Sequence, residues 1–223
     1  MESIGVKLKA AEATEPTAEN RRDERRRPPK RMKNKDRRSR EYLTPSEVQK
    51  LMNAARSGKG EAGGATRHAH RDATIIMLMF RHGLRVSEAC ALRWDQIDLT
   101  SAVIHVNRAK GSVPSTHPLR GPELRALRQL KREYPESTVY VFPSERGGPL
   151  TDFAVRKMIQ RAGLLAKLGD VHPHMLRHAT GYYLAEQGAD TRAIAAYLGH
   201  RNLMNTMRYT ETSPHRFKSF FKD

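Results

Sequence analysis

From about Tyr42 onward, apolar residues recur mostly at helical spacing, and one region switches to the alternation of a sheet. The first periodic segment, residues 45–55, is preceded by Thr44-Pro45-Ser46-Glu47, a capping-box sequence with proline at the first helical position. A glycine-rich stretch, residues 57–66, then breaks the pattern; it lacks the Lys-Ser/Thr that follows the glycines of a nucleotide-binding loop. Residues 73–80, ATIIMLMF, are apolar on every side and predict a helix buried in the core, ended at Gly83. Ser87 is placed to cap the next helix, which sets Arg85 at the junction of the two, and Trp94 reads as core or near-core. Residues 102–118 hold a β-branched run, a turn signal at 108–111 and a return strand, the pattern of a β-hairpin.

Beyond the hairpin the pattern predicts a helix over 122–134, a short strand over 139–142, a turn at 145–148 and a helix over 151–167. The core-facing set of that last helix reads as Phe153, Val155, Met158, Ile159, Leu164 and Leu165. Pro173 starts a helix running to about residue 187, ended by Gly188 or Asp190, with His174, Arg177 and His178 on one face. Thr191 caps a further helix through Leu198, which Gly199 terminates; Tyr209 falls in a short helical or irregular piece beyond. The fold class is therefore α+β, mainly α-helical with a small antiparallel β-sheet, and no 20–50-residue period repeats.

Charge sharpens this picture. The chain has 223 residues and a formal net charge of +17, which points to a polyanionic partner, with an acidic membrane surface as the competing choice. Residues 21–40 carry twelve Lys/Arg against three Asp/Glu, a local net of +9, and have no apolar face to bury. Residues 1–41 thus read as a basic, disordered arm lying along DNA phosphates, a solubilising tail being the plainer alternative. Residues 1–40 account for +7, so residues 41–223 still hold +10 and are basic in their own right. No apolar run approaches eighteen residues and no signal-peptide core opens the chain, so a non-secreted protein without a membrane span is expected. The single cysteine, Cys90, precludes an internal disulfide and suits a reducing compartment.

The chemistry concentrates in HPHMLRHATGYYLAEQGADTRAIAAYLGHRNLMNTMRYT, residues 172–210. His174 and Arg177 lie about one helical turn apart, His200 follows a helix end, and Tyr209 comes nine residues later. Two histidines, an arginine and a tyrosine together can grip and attack a phosphodiester. Arg85 either pairs with Glu88 on a solvated face or enters such a site, and Lys110 is either a solvated turn residue or an arm reaching a phosphate. A metal reading of His172, His174, His178 and His200 is weak: HExxH is absent, Cys90 is remote, and an adjacent arginine would repel a dication.

HGLRVSE, an isolated lysine on a hairpin, HPHMLRH, YLGHRN and a tyrosine nine residues past that histidine together resemble the tyrosine recombinase, or phage integrase, family. The THPL after the hairpin lysine and the wording HPHMLRH…LGHRN…YT are especially similar to the fimbrial phase-variation recombinases. The resemblance covers about residues 42–223, implying one catalytic domain there. It implies that Arg85 and Arg177 clamp the phosphate, Lys110 is the hairpin lysine, His174 and His200 are the paired histidines, and Tyr209 is the nucleophile. Glu88 would support the first arginine, and His178 would be structural. Most members carry a further helical DNA-binding domain ahead of the catalytic one, and only about forty residues, basic on balance, precede Tyr42 here.

The implied activity is site-specific cutting and rejoining of double-stranded DNA through a 3′-phosphotyrosine, without metal, cofactor or ATP. The implied partners are recombination sites in DNA, a homotetramer in the synaptic complex from a monomer in solution, and accessory DNA-bending proteins. The expected place is the bacterial cytoplasm, at the nucleoid. The C-terminal phenylalanines Phe217, Phe220 and Phe221 would dock on a neighbouring protomer or on their own domain. A DNA-binding relative that does not cut would have no need of Tyr209, and a type IB topoisomerase shares the chemistry but not the small size or the LGH wording.

Overall fold

A computed structural model describes residues 41–57, 68–109, 111–135 and 137–211. The basic arm 1–40, most of the glycine-rich loop, Lys110 and the C-terminal phenylalanines lie outside the described residues.

The first helix, α1 (Pro45–Ser57), starts as its capping box predicts: the Thr44 amide donates to Glu47 Oε2 at 2.9 Å. Helix α2 (Ala69–His82) is the centre of the domain. Its residues 71–79 are all buried, as an all-round apolar helix requires, and it packs against α1, α4 (Gly121–Glu133) and α6 (Pro173–Glu186). Gly83 closes α2 in the left-handed conformation, φ 59°. The short helix α3 (Val86–Cys90) follows, but Ser87 is not its cap. Arg85 is, and Glu88 reaches back to accept from the Arg85 amide at 2.9 Å.

A three-stranded antiparallel sheet comes next, β1 (Ile97–Asp98), β2 (Val103–Val106) and β3 (Ser115–Pro118), paired in chain order. The hairpin β2–β3 was expected; β1 was not, because two residues are too few for alternation to register. Ile104 faces His117 in the register, and Val106 faces Ser115. The expected strand at 139–142 forms only an isolated bridge, Tyr140 to Arg93, followed by the turn that returns at Gly148.

Helix α5 (Asp152–Leu165) is capped by Thr151, whose hydroxyl accepts from the Ala154 amide at 3.1 Å. Its core face is Val155, Met158, Ile159 and Ala162; Phe153, Leu164 and Leu165 are exposed, contrary to the sequence reading. A 3.6-residue period through 155, 158, 159 and 162 puts Phe153 and Leu164 on the opposite face and Leu165, the last residue of the helix, at the margin of the core face. Helix α7 (Thr191–Leu198) is capped by Asp190 rather than Thr191: the Asp190 carboxylate accepts from the amides of Arg192 and Ala193. Helix α8 (Met204–Glu211) then carries Tyr209. Ile194, Leu198, Tyr209 and Ala185 form a small second core that fixes α8 to α6 and α7.

Candidate active site

The site is assembled at the end of α2. The Gly83 carbonyl accepts from the guanidinium groups of both Arg177, on α6, and Arg108, in the hairpin turn. Arg177 also donates to the Leu198 carbonyl at 2.6 Å, and Arg108 to the carbonyls of His82 and Tyr197. Two arginines therefore tie helix ends together by satisfying carbonyls that helix termini leave open.

Glu88 is the only carboxylate that engages this group among the described residues, and it is shared. Its oxygens accept from Arg85 Nη1 at 2.7 Å, Arg108 Nη1 at 3.0 Å, and the amides of Arg85 and Ala109. Its side chain is 3% exposed, so the pair with Arg85 is not on a solvated face. Burial alone would raise its pKa, but the Ala109 and Arg85 amides and the two guanidinium groups hold it below the usual carboxylate range.

Three arginines against one carboxylate leave excess positive charge in a largely dry place. Arg177 is the deepest, and burial, then the charges of Arg85 and Arg108, lower its pKa to about 10. It remains a cation at neutral pH. Such an excess is what an anionic ligand neutralises.

His200 follows Gly199 at the end of α7. Gly199 has φ 70°, and a side chain there would meet the Val113 carbonyl at 2.7 Å and Arg108 Cγ at 2.8 Å. Both the turn and the close approach of the hairpin therefore require glycine. The Thr206 hydroxyl lies 2.8 Å from His200 Nδ1; when it donates, the ring proton sits on Nε2. Burial, then Arg177 and its neighbouring arginines, push the His200 pKa down to about 4, so it is a neutral hydrogen-bond donor.

Tyr209 is 2% exposed. Its ring lies on the backbone of α6 at Gly181, edge-on to Tyr182. Its hydroxyl is 2.9 Å from Nδ1 of His178, the residue that the sequence reading treated as structural. Burial, then the charge of Arg208, depress the His178 pKa to about 4, leaving a neutral ring that accepts from the phenol. Burial also raises the Tyr209 pKa, against the opposing pull of Arg208 and Arg177. The phenol is therefore protonated at neutral pH and needs a base to react.

His174, one turn before His178, is exposed; their ring centroids are 6.3 Å apart. It lines, with Arg85, Asp152 and Arg156, an open cleft of about 150 Å³. The structure thus brings Arg85, Arg177, His174, His200 and Tyr209 to one region, with Glu88 beneath them. Arg108 and Gly181 were not anticipated. A lone arginine in a turn and a lone glycine in a helix carry no signal until the chain that packs on them is known.

Among the described residues, no three His, Cys, Asp or Glu side chains converge on a metal position, and no helix is long and apolar enough to cross a membrane.

The model of the phage integrase family matches residues 41–216. The type 1 fimbriae regulatory protein FimB of Escherichia coli strain K12 is 41% identical over 192 residues, 83% of this chain and 92% of FimB. The tyrosine recombinase XerC of Xanthomonas axonopodis is 36% identical over 142 residues, 63% of this chain but only 46% of XerC. Among solved structures, the XerA recombinase superposes with a TM-score of 0.66 at 25% identity, covering 82% of this chain and 65% of that one.

Proposed function

The chain belongs to the phage integrase family of tyrosine recombinases, and we propose that it cuts and rejoins DNA at specific sites through a covalent phosphotyrosine. The observation that carries the reading is the gathering of Arg85, Arg177 and His200 beside a buried tyrosine, with one shared carboxylate. A phosphodiester is the ligand whose charge and geometry this arrangement matches.

The scissile phosphate binds across the two arginines, which hold its non-bridging oxygens, and His200 Nε2–H donates a further hydrogen bond. Tyr209 Oη forms the new bond to phosphorus as the bond to the 5′-oxygen breaks. The phenolic proton cannot stay on His178, whose buried ring resists charge, so exposed His174 is the base that receives it. Lys110 gives a proton to the 5′-oxygen, which leaves as a hydroxyl. The 3′-phosphotyrosine keeps the bond energy, and a 5′-hydroxyl from a partner strand reverses the step without ATP.

The resemblance of the motifs to the fimbrial phase-variation recombinases favours inversion of a DNA segment as the outcome. Four protomers would join two sites, helped by DNA-bending proteins at the nucleoid, with the arm 1–40 supplying sequence-independent phosphate contacts. A nicked suicide duplex should trap a protein–DNA adduct, and Tyr209→Phe should abolish the adduct while binding persists. An adduct formed by that variant would make the nucleophile another residue. In the same binding assay, removing residues 1–40 should shallow the fall of log K with log salt, and an unchanged slope would leave the arm without phosphate contacts.

A further inference from the structure

Behind the arginines lies a second buried polar cluster that the chemistry above does not use. His82, the last residue of α2, and His117, on β3, are each 1% exposed and face each other, Nδ1 to Nδ1 at 3.1 Å. His82 Nε2 is 2.7 Å from Glu123 Oε1, an ion-pair contact whose angle falls short of a good hydrogen bond. His117 Nε2 is 2.8 Å from the Ser115 hydroxyl. Glu123 also accepts from Arg81 at 3.0 Å and from the Arg120 amide at 2.9 Å. The His117 ring stacks on Tyr197 at 3.8 Å between centroids, and the Tyr197 hydroxyl donates to the Arg81 carbonyl at 2.9 Å.

Proton accounting gives this chain a direction. Two Nδ1 atoms in contact share one proton. The Glu123 carboxylate beside His82 Nε2 favours the ring proton on that atom, which leaves His82 Nδ1 as the acceptor. His117 must then carry its proton on Nδ1, and its Nε2 accepts from Ser115. All donors therefore point from the hairpin toward Glu123. Burial, then the neighbouring His82 and Arg108, push the His117 pKa down to about 3, so His117 itself stays neutral near pH 7.

The chain joins two elements that flank the site, the end of α2 and strand β3. His82 adjoins Gly83, whose carbonyl holds Arg177 and Arg108. Ser115 and His117 are in β3, paired with β2, and the turn between these strands contains Lys110. A directional hydrogen-bond chain resists the sliding that an apolar contact between strand and helix end would allow.

We propose that His82 and His117 are positioning residues for the leaving-group step, the chain Glu123–His82–His117–Ser115 holding strand β3 of the hairpin to the end of α2. This rests on Lys110 being the acid that protonates the 5′-oxygen.

The test uses the full chain and a nicked duplex that the parent protein cleaves, with either an ordinary scissile phosphodiester or sulfur in place of the bridging 5′-oxygen. A thiolate leaves without the proton that an alkoxide requires, so loss of proton delivery alone is repaired by sulfur. His117→Phe keeps an aromatic ring on Tyr197 but loses both ring nitrogens. It should cleave the ordinary duplex about 100-fold more slowly and the sulfur duplex within about threefold of the parent. Ser115→Ala, a smaller change, should show the same pattern more weakly, slower on the ordinary duplex and near the parent rate on the sulfur duplex. Equal slowing on both duplexes, or no slowing on either, overturns the proposal. Lys110→Ala separates the two readings. If sulfur rescues it but not His117→Phe, only the positioning role fails; if sulfur does not rescue it, Lys110 is not the acid.

Discussion

Gly181→Ala is the sharpest probe of whether Tyr209 rests where it reacts. A methyl group at this position would lie 2.5 Å from Tyr209 Cε2 and 2.7 Å from both Cδ2 and Cζ. Carbon atoms settle at about 3.5–4.0 Å, so the ring must retreat by about 1 Å or more. The helix backbone at 181 has no slack, being held between Arg177 and the core, so the movement falls on α8. Overpacking of this kind costs about 1–3 kcal/mol. The 2.9 Å contact with His178 is stretched or lost, worth roughly another 1 kcal/mol. In a reaction that needs the phenol aligned on phosphorus, a 1 Å displacement slows attack about 100-fold. The variant should therefore bind its DNA with the parent's affinity, since the ring is buried away from solvent, and form the covalent adduct about 100-fold more slowly. Single-turnover trapping on a nicked duplex measures the rate, and a mobility-shift titration measures affinity. A variant that forms the adduct as fast as the parent, or faster, would show that the docked ring is a resting position off the reaction path.

Two other expectations concern stability. Glu88→Gln removes the charge that offsets Arg108, whose side chain is fully buried, and turns an amide NH₂ toward its donors. Breaking a buried pair in this way should cost about 3 kcal/mol, or roughly 6–12 °C of Tm by calorimetry; a loss below about 2 °C would mean that Glu88 is not the hub. Acid should also unfold the domain early. His117, His178 and His200 are held neutral by burial with pKa values of about 3, 4 and 4, whereas in the unfolded chain each titrates near 6.5. The unfolded state therefore binds the extra protons, and stability is full above pH 6.5 and falls as pH drops toward 4. By pH 5 the loss should be on the order of 1–2 kcal/mol per ring; urea midpoints that do not change between pH 7 and pH 5 would refute it.

What the chain order determined was most of the helices and the hairpin. The capping box at Thr44, the all-apolar run of α2, the stop at Gly83 and the proline that opens α6 are local rules, obeyed because each is satisfied within a few residues. The family motifs pointed to Arg85, Arg177, His174, His200 and Tyr209 for a similar reason, since each sits at a fixed distance from a helix end. Tertiary structure decided what those residues touch. Phe153, Leu164 and Leu165 are as apolar as Val155 and Ile159, but only the packing of α5 chooses which face meets the core. Arg108 became a buried tie because the end of α7 comes within van der Waals contact of the hairpin at Gly199. His178, rather than the exposed His174, holds the Tyr209 hydroxyl because α8 folds back over Gly181. Hydrogen bonds between residues 20 to 94 positions apart, such as Ala109 to Glu88 and Arg177 to Gly83, depend on three-dimensional closure, and no local pattern encodes them.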